Sequence, residues 1–340
     1  MPDSGEANRL GAVTGRAERK APRASAPLAW IPFTAAETGE LPAGVRHEFW
    51  DGTDAFPSDP ASVSFYVPPP VPDAAVVTRP LPYMRALEVL HPLSSGVEQY
   101  LPHLGGLPSD LVVCNAQGLH SAATAELALT LILSSLRGMG GFFESGRRAR
   151  WEFRPSSTLV GKTVLIAGHG SVGSALERYL IPFGCEILRV ARRRRRDARG
   201  TVHAAEDLPL LLPLADVVVL TLPHTRETHH LMDTETLEGM KDGSLLVNMS
   251  RGGVVDTDAL LKIVESGRIT AALDVTDPEP LPDGHPLWTL PGVVVTPHAG
   301  AFTSAFRPAL AAFVREQLAR WTRGQPLHNV VDRSSGVLEA

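Results

Sequence analysis

The chain has 340 residues, 44% of them apolar, and a formal net charge of −5 at pH 7. This length and composition favour two domains with cores of ordinary size, and the negative charge gives no electrostatic reason to expect nucleic-acid binding. The two cysteines, Cys114 and Cys185, cannot build a disulfide framework or a C-x-x-C metal site, and we expect both to be buried and reduced.

Neither a targeting segment nor a membrane span is expected. Residues 1–25 mix Arg, Lys, Glu, Gly, Ala and Pro without the apolar core of a signal peptide, so they are predicted to form a disordered tail. The most apolar stretch, residues 208–222, is interrupted by Pro209, Pro213 and Asp216 and is not expected to cross a bilayer. These features favour a cytoplasmic protein that acts without a membrane.

The first hundred residues after the tail contain short apolar runs separated by joints rich in Pro and Gly. The runs at residues 28–33, 63–67, 86–90 and 111–114 predict a small sheet flanked by short helices. Between residues 121 and 137 the apolar residues recur at helical spacing, which predicts one long and mostly apolar helix.

The next segment carries a glycine motif. Residues 164–173 read VLIAGHGSVG, in which a strand pattern closes on G-x-G-x-x-G and a helical pattern follows. The first two glycines allow a tight bend and close backbone approach, the third lets the helix pack on the strand, and the helix N-terminus offers N–H groups to an anion. The turn predicts a dinucleotide site formed by Gly168, Gly170, Ser171, Val172 and Gly173.

The following strand ends in arginines where a carboxylate is usual. The strand pattern at residues 185–190 is followed by Ala191 and then by five arginines at 192–196. NAD-preferring folds place Asp or Glu near this point to bind the ribose hydroxyls, whereas Arg binds a 2′-phosphate through charge-assisted hydrogen bonds. The replacement predicts NADP as the preferred cofactor, with NAD still possible. We assign the phosphate contact to Arg192 and Arg193 and interpret the other three arginines as a solvated basic loop.

Beyond the arginines, strand patterns alternate with helical ones. The patterns at residues 217–220, 245–247, 271–275 and 293–296 are apolar, as expected for parallel strands covered on both faces. Their alternation with helices predicts a doubly wound α/β domain at residues 119–302. A last helical pattern at residues 304–323 has a broad apolar face and is expected to pack on the first domain.

Three short motifs follow these strands, at the strand ends where open α/β sheets bind ligands. Residues 248–256 read NMSRGGVVD, and the paired glycines allow the guanidinium of Arg251 to project beside close-packed backbone. Residues 272–280 read ALDVTDPEP and hold Glu279 between two prolines. Residues 296–300 read TPHAG and place His298 directly after a strand.

Taken in order, G-x-G-x-x-G, R-G-G-x-V-D, D-V-x-x-x-E-P and T-P-H resemble the D-isomer-specific 2-hydroxyacid dehydrogenase family, in particular its glyoxylate/hydroxypyruvate reductase-like members. The resemblance covers residues 60–330 and is strongest over 161–300. It implies a Rossmann cofactor domain, residues 119–302, inserted into a smaller flavodoxin-like substrate domain, residues 26–118 and 303–340. It also implies a homodimer with contacts from the helix near Ser121 and from Trp151, although core packing would account for both features.

The resemblance places the family's catalytic arginine, acid and histidine at Arg251, Glu279 and His298. A planar guanidinium can bind the carboxylate and the adjacent carbonyl of a 2-oxoacid, so Arg251 is also expected to contact the substrate. Protonated His298 is expected to donate to the carbonyl oxygen and, in the reverse reaction, to accept the hydroxyl proton. Glu279 is expected to orient the imidazole ring and to favour its charged form.

Other positions match the family's contacts with cofactor and substrate. Asp274 corresponds to the residue that binds the nicotinamide carboxamide, and a strand-end cap is the alternative interpretation. Backbone N–H groups after the third apolar run are expected to hold the substrate carboxylate, unless this segment is an ordinary turn. The segment comprises Ser95, Gly96 and Val97, and the further cofactor contacts are Pro223, Thr225, Ser250 and Gly300, whereas His224 is not expected to act directly.

Two departures limit how far the resemblance extends, and a third feature distinguishes between branches of the superfamily. Thr276 stands where the family usually has an aromatic residue. No regulatory domain is recognisable after residue 330, which disfavours an allosterically controlled phosphoglycerate-type enzyme. The formate-dehydrogenase branch has Gln opposite the histidine, and Glu279 disfavours that branch.

The sequence thus leads to the hypothesis of an NADP-dependent enzyme that interconverts a small 2-oxoacid, such as glyoxylate or hydroxypyruvate, and its D-2-hydroxyacid. The expected substrate loops, residues 65–70 and 91–96, carry little charge, and Arg79 and Arg85 are the nearby cations that could bind a larger anionic substrate. A second class of function stays open, in which the protein binds dinucleotide to sense redox state or to recruit partners like a corepressor, with little turnover.

Overall fold

The structure, a computed structural model, describes residues 26–71 and 73–331. These residues form two compact units, the first from residues 26–119 and 304–331 and the second from residues 120–303. The predicted domain boundaries at 118/119 and 302/303 each lie one residue before the boundaries of these units. The predicted tail, residues 1–25, lies outside the described residues, as do residues 332–340.

The first unit is built on a five-stranded parallel sheet. The elements in the first part of the unit are β1 (Leu28–Ile31), α1 (Ala35–Thr38), β2 (Arg46–Phe49), β3 (Val63–Tyr66), α2 (Ala74–Thr78), β4 (Val89–Leu90) and β5 (Val112–Val113). The strand order is β2-β1-β3-β4-β5, which is the flavodoxin-like order that the sequence resemblance implies. Hydrophobic patterning did not predict β2, because this edge strand has no apolar run and is mostly exposed.

The second unit is built on a six-stranded parallel sheet of order β13-β12-β11-β10-β6-β7, with a separate two-stranded hairpin, β8-β9. Its elements are α3 (Ser121–Leu136), α4 (Met139–Arg147), β6 (Thr163–Ala167), α5 (Ser171–Leu180), β7 (Glu186–Val190), β8 (Arg195–Asp197), β9 (Gly200–Val202), α6 (Leu208–Leu211), β10 (Val217–Leu220), α7 (Thr234–Glu238), β11 (Leu245–Asn248), α8 (Thr257–Glu265), β12 (Thr270–Leu273) and β13 (Val293–Val295). The doubly wound α/β fold predicted for this part of the chain is confirmed.

Alternate side chains of the central strands enter two different apolar layers. Leu165 and Val218 pack in the layer that contains α6, α7 and α8, whereas Ile166 and Val219 pack in the layer that contains α3 and α5. Because both faces of the sheet are covered, the strands are apolar throughout. The sheet is therefore a rigid base for the loops at its carboxyl ends.

The chain path around β6 creates a crevice at these carboxyl ends. In the sheet β6 lies between β7 and β10, so the connections after β6 and after β7 run toward opposite sides. Such a topological switch point is where open α/β sheets bind ligands. The glycine turn follows β6 and residues 221–225 follow β10, so both predicted cofactor segments border the switch point.

The chain returns to the first unit through α9 (Phe306–Thr322). Leu310, Val314 and Leu318 of this helix are fully buried in an apolar layer of the first unit. Arg307 Nε donates to Glu37 Oε1 over 2.7 Å, which ties α9 to α1. The apolar face predicted for this helix thus covers the first sheet.

Both cysteines are free thiols. Cys114 is buried, as expected, and burial raises its pKa to about 12. Cys185 was also expected to be buried, but it precedes an edge strand and is only half-buried. No helix among the described residues is long and apolar enough to cross a membrane.

Candidate functional site

The glycine turn after β6 is tightly packed on one side and open on the other. Gly168 has φ +111°, and a Cβ atom there would lie 2.5 Å from the backbone nitrogen of Leu222. A Cβ atom on Gly173 would strike the carbonyl oxygen of Gly168, whereas one on Gly170 would meet no atom within 4 Å. The open side coincides with the start of α5, where the first helical N–H groups have no intrahelical partner. This cradle fits the pyrophosphate of a dinucleotide.

The loop after β10 borders the same turn. Thr221 Oγ1 donates to the carbonyl oxygen of Gly168 over 2.7 Å, which fixes the two loops to each other. Beyond it, Pro223 and Thr225 lie in a compact turn closed by Thr228, whose hydroxyl donates to the carbonyl of Pro223 over 2.7 Å and accepts from the amide of Thr225 over 2.7 Å. The loop that carries Pro223 and Thr225 is therefore attached to the glycine turn through Thr221.

A buried asparagine shapes the turn that carries Arg251. Asn248 Oδ1 accepts from the amide and the hydroxyl of Ser250, at 3.0 and 2.7 Å, and Nδ2 donates to the carbonyl oxygen of Arg251 over 3.0 Å. A Cβ atom on Gly252 would strike the carbonyl oxygen of Thr276. Only glycine allows this approach, which brings the Arg251 turn after β11 against the chain after β12.

Glu279 and His298 form a direct pair. Oε1 of Glu279 lies 2.6 Å from Nδ1 of His298, and both side chains are a little under half exposed. Burial alone would raise the pKa of Glu279, but the hydrogen bond and charge of His298, with the amide of Thr276 and the charge of Arg251, bring it below its ordinary value. Nε2 of His298 has no hydrogen-bond partner among the described residues.

The sheet brings these three predicted residues to one edge. Arg251 follows β11, Glu279 follows β12 and His298 follows β13, and these strands are neighbours in the sheet. The carboxyl ends of parallel strands meet at the same edge, so one cation, one carboxylate and one imidazole with an unbonded nitrogen lie together. This set can bind an anion and exchange a proton with it.

Asp274 holds the loop that carries His298. Its Oδ1 accepts from Thr296 Oγ1 at 2.6 Å and from the amide of Ala299 at 2.8 Å, and Oδ2 accepts from the amide of Gly300 at 3.0 Å. Its carbonyl oxygen accepts from the amide of His298 at 2.8 Å. Asp274 is 3% exposed, and its contacts are those of the strand-end cap that the sequence left as an alternative.

The five arginines do not share one environment. Arg192 and Arg193 are exposed and make no hydrogen bond within the described part of the chain. Arg194 Nη2 lies 2.7 Å from Oδ2 of Asp207, and Arg195 Nη2 donates to the carbonyl oxygen of His169 over 2.9 Å. Arg194 and Arg195 are exposed, as expected for a solvated loop, but each also has a fixed partner, because the β8-β9 hairpin turns the run back toward the glycine turn.

The predicted substrate loop lies in the first unit. Ser94 Oγ donates to the carbonyl oxygen of Gly96 over 2.6 Å, and Asn115 Nδ2 donates to that of Ser95 over 2.9 Å. The amides of Ser95, Gly96 and Val97 donate to no acceptor among the described residues. These bonds give the loop a fixed shape with unbonded N–H groups, as a carboxylate-binding loop requires.

The cations suggested for a larger substrate have other surroundings. Arg79 is ion-paired with Asp54 at 3.2 Å and lies over the rings of Trp50 and Phe56, with its guanidinium carbon 5.7 and 5.0 Å from their centroids. Arg85 is exposed. Arg79 is therefore engaged in structural contacts of the first unit.

Sequence reasoning missed several residues that shape the site. Asn248 and Thr221 position their turns through contacts that no local pattern reveals. His224, which the sequence did identify but without a direct role, is closely packed, because a Cβ atom on Gly253 would lie 2.9 Å from its ring. Within the described ranges no group of three or more His, Cys, Asp or Glu side chains could hold a metal ion.

Comparison with known proteins agrees with this geometry. The family profile described as D-isomer specific 2-hydroxyacid dehydrogenase, NAD binding domain, matches residues 129–300. The glyoxylate reductase of Thermococcus litoralis is 35% identical over 234 residues, which cover 66% of this chain and 70% of that protein. The glyoxylate/hydroxypyruvate reductase B of Pectobacterium atrosepticum is 38% identical over 216 residues, which cover 61% of this chain and 68% of that protein.

A solved structure extends the likeness to both units. The D-isomer specific 2-hydroxyacid dehydrogenase of Xanthobacter autotrophicus Py2, crystallised in complex with NADPH and MES, superposes with a TM-score of 0.75 at 28% identity. The match covers 92% of this chain and 100% of that one. The chain therefore belongs to the D-isomer specific 2-hydroxyacid dehydrogenase family and is an oxidoreductase with a nicotinamide dinucleotide as its cofactor.

Proposed function

We propose that this protein is an NADP-dependent reductase that converts a small 2-oxoacid, such as glyoxylate or hydroxypyruvate, into its D-2-hydroxyacid. The observation that carries the proposal is the pair of Glu279 and His298. Nδ1 of His298 lies 2.6 Å from Oε1 of Glu279, and Nε2 of His298 is left for a ligand. The names of the relatives from Thermococcus litoralis and Pectobacterium atrosepticum support the substrate class.

Each of the three side chains has a separate task in the proposed reaction. Arg251 binds the carboxylate and the adjacent carbonyl oxygen of the oxoacid through its planar fork. Bound NADPH supplies the hydride that reduces the carbonyl carbon. As negative charge grows on the carbonyl oxygen, His298 donates its Nε2 proton to that oxygen. Glu279 keeps the hydrogen on Nδ1 and stabilises the imidazolium before the transfer.

The proposed cofactor contacts combine the glycine turn with the arginine run. The amides of Ser171, Val172 and Gly173 would hold the pyrophosphate, and Arg192 and Arg193 would bind the 2′-phosphate. Pro223, Thr225, Ser250, Asp274 and Gly300 stay proposals as further cofactor contacts. The hydroxyl of Ser250 donates to Asn248 and the amide of Gly300 donates to Asp274, so a cofactor would contact these two residues through their other atoms.

The proposal favours a substrate with a small substituent. Ser95, Gly96 and Val97 are proposed to bind the carboxylate through their N–H groups, which need no side chain. Arg79 is the cation best suited to bind a second anionic group of the substrate, but it is already paired with Asp54. A phosphorylated or dicarboxylic substrate would therefore meet little additional positive charge in the described part of the first unit.

The test is the initial rate of NADPH and NADH oxidation with glyoxylate, hydroxypyruvate, pyruvate and several branched 2-oxoacids. We expect turnover with NADPH to dominate and the smallest acids to rank highest. Arg192→Ala should weaken the binding of NADPH much more than the binding of NADH. An equal loss of affinity for both cofactors would show that Arg192 does not bind the 2′-phosphate. NADPH binding without oxidation by any acid would overturn the reductase and favour the sensing or corepressor-like role.

We also propose a cytoplasmic homodimer. In the second unit, three large apolar side chains are exposed in one segment, namely Phe143 at 62%, Trp151 at 100% and Phe153 at 88%. Exposed apolar residues grouped in this way are typical of an interaction surface. Sedimentation of the wild type and of Trp151→Ala tests the dimer, and a monomeric wild type would contradict it.

A further inference from the structure

A group of charged side chains lies directly beneath the glycine turn, outside the set that performs the proposed reaction. Glu177 of α5 and Arg189 of β7 are each 3% exposed, and His169, the residue between the first two glycines of the motif, is 8% exposed. Charged groups are rarely buried to this degree unless they are paired. The group is called the Glu177 cluster below and consists of His169, Glu177, Arg189, Asp197 and Arg199.

Glu177 is the centre of the cluster. Its Oε2 lies 2.8 Å from His169 Nε2 and 2.8 Å from Arg199 Nη1, and its Oε1 accepts from Arg189 Nη1 over 3.2 Å. Arg189 Nη1 also donates to both carboxylate oxygens of Asp197 over 3.0 Å. The cluster therefore joins α5, β7 and the β8-β9 hairpin.

These contacts determine which nitrogen of His169 carries hydrogen. Glu177 accepts, so His169 Nε2 is the donor, and Nδ1 is the acceptor for Arg195 Nη2 at 3.0 Å. Burial lowers the pKa of His169, the charges of Arg189 and Arg195 act in the same direction, and Glu177 opposes them without cancelling the shift. The neutral ring is thus the form in which Nδ1 can hold the guanidinium of Arg195.

The charges of the cluster balance without Arg195. The carboxylates of Glu177 and Asp197 face the guanidinium groups of Arg189 and Arg199. Arg195 has two acceptors, Nδ1 and the carbonyl oxygen of His169, and neither is charged. Within the described residues no carboxylate pairs with Arg195, so its positive charge is available to an anion.

Arg195 lies at the end of β7, where dinucleotide-binding folds contact the ribose of the cofactor. The amides of Gly168 and His169 both donate to the carbonyl oxygen of Val190, at 2.9 and 2.8 Å. The glycine turn is thereby attached to the last residue of β7, and dinucleotide-binding folds read the 2′ position of the ribose after this strand. Arg195, bonded to the carbonyl of His169, lies at the same junction.

We propose that the Glu177 cluster positions the cofactor-reading cation of this enzyme: His169, oriented by Glu177, holds Arg195 at the end of β7, where its guanidinium binds the 2′-phosphate of NADP. The inference rests on the proposed preference for NADP and adds a residue and a positioning device to it. A guanidinium held in place loses less conformational entropy on binding than one on a free side chain. Arg195 thus supplies a pre-organised contact, whereas Arg192 and Arg193 have to be ordered by the ligand.

The test measures binding of two nucleotides that differ in the 2′-phosphate alone, 2′,5′-ADP and 5′-AMP, by calorimetry on the full chain. Arg195→Leu should weaken the binding of 2′,5′-ADP by roughly 10- to 100-fold, as expected for a lost charge-assisted contact, and should leave the affinity for 5′-AMP unchanged. Arg196→Leu is the matched control. It removes the same charge from the neighbouring position of β8, whose side chain points to the opposite face, and it should change neither affinity.

Two further variants separate positioning from general damage to the turn. His169→Leu removes Nδ1, one of the two acceptors for Arg195, and leaves the carbonyl oxygen of residue 169 and Arg195 itself in place. This variant should selectively weaken the binding of 2′,5′-ADP by roughly three- to tenfold. His169→Asn returns an amide oxygen close to the position of Nδ1 and should restore much of the affinity. Melting temperatures measured in parallel identify any variant that does not fold, and Arg195→Leu, with its exposed side chain, keeps the test decisive in that case.

The possible results lead to different conclusions. If the wild type binds 2′,5′-ADP no better than 5′-AMP, both the NADP preference and the role of Arg195 are overturned. If the wild type prefers 2′,5′-ADP and Arg195→Leu retains that preference, the inference fails while the proposed function stands on Arg192 and Arg193. An equal loss for both nucleotides in His169→Leu would mean that the cluster shapes the glycine turn and does not position Arg195.

Discussion

Oε1 of Glu279 lies 2.6 Å from Nδ1 of His298, and this contact decides which imidazole nitrogen is presented to a substrate. A carboxylate can only accept, so the hydrogen resides on Nδ1 and Nε2 is the atom that exchanges a proton. His298 has φ +51°, a conformation that few residues other than glycine adopt. The bond from its amide to the carbonyl of Asp274, at 2.8 Å, helps to maintain this conformation.

Replacement of His298 by Gln should remove the proton donor and leave the cofactor site intact. We expect the reductive kcat to fall by at least about 100-fold, the lower range for lost general acid catalysis, while the dissociation constant for NADPH stays nearly unchanged. Stopped-flow rates and a fluorescence titration with NADPH measure the two quantities.

The matched control for this variant is His328→Gln. His328 forms a comparable exposed pair with Glu316, with Nε2 and Oε1 2.7 Å apart, but it lies in the first unit and has no proposed role. The control should keep the wild-type rate. A His298→Gln enzyme as fast as its control would remove His298 from the chemistry.

The ionised carboxylate of Glu279 should stabilise the fold, and this contribution should be lost as the pH falls. Its pKa lies below the ordinary value of 4.5 in the folded protein, so its stabilising contribution is complete above pH 4.5 and is lost as the pH falls through the lower folded value. Urea unfolding of the wild type and of Glu279→Gln between pH 3 and 7 should give curves that converge at acidic pH. Since the side chain is 41% exposed, the difference is expected to be small. Curves that diverge on acidification would contradict the depressed pKa.

Hydrophobic patterning predicted most of the second sheet because its strands are covered on both faces. The run at residues 217–220 coincides with β10 (Val217–Leu220), and every position in it is buried. The same reasoning failed for β2 in the first unit, where an edge strand of Arg, His, Glu and Phe pairs through its backbone and has no apolar signature.

The candidate catalytic residues were predicted through the resemblance of their motifs to those of the family. Arg251, Glu279 and His298 lie in the segments after β11, β12 and β13, which are parallel neighbours, so these segments reach one edge of the sheet. Arg195 and His169 are 26 positions apart in the sequence, and their contact depends on the path of the β8-β9 hairpin. No pattern in the arginine run distinguishes Arg195 from Arg196.

Asp274 should matter for the loop that carries His298, whatever it contributes to cofactor binding. In Asp274→Asn an NH2 group replaces one of two oxygens that accept N–H bonds from Ala299 and Gly300, so one buried amide is left without an acceptor. We expect a loss of about 1–3 kcal/mol in the free energy of unfolding and a lower kcat, measured by urea unfolding and by initial rates. Asp283→Asn, at an exposed position, is the control. Unchanged stability in Asp274→Asn would show that these bonds contribute nothing net.

Gly252 should be the most sensitive glycine outside the cofactor turn. A Cβ atom there would strike the carbonyl oxygen of Thr276, so Gly252→Ala has to separate the Arg251 turn from the chain that leads to Glu279. We expect the free energy of unfolding to fall by about 1–3 kcal/mol, as for other overpacked sites, and kcat/KM to fall as well because Arg251 is displaced.

Gly146→Ala is the control for this variant, because a Cβ atom there meets nothing within 4 Å and the residue lies in α4. It should leave kcat/KM unchanged and raise stability by up to about 1 kcal/mol, because alanine restricts the unfolded chain. Chemical unfolding and initial rates on the same preparations separate the two effects of Gly252→Ala. Lower stability with an unchanged kcat/KM would mean that the close backbone approach supports the fold without positioning Arg251.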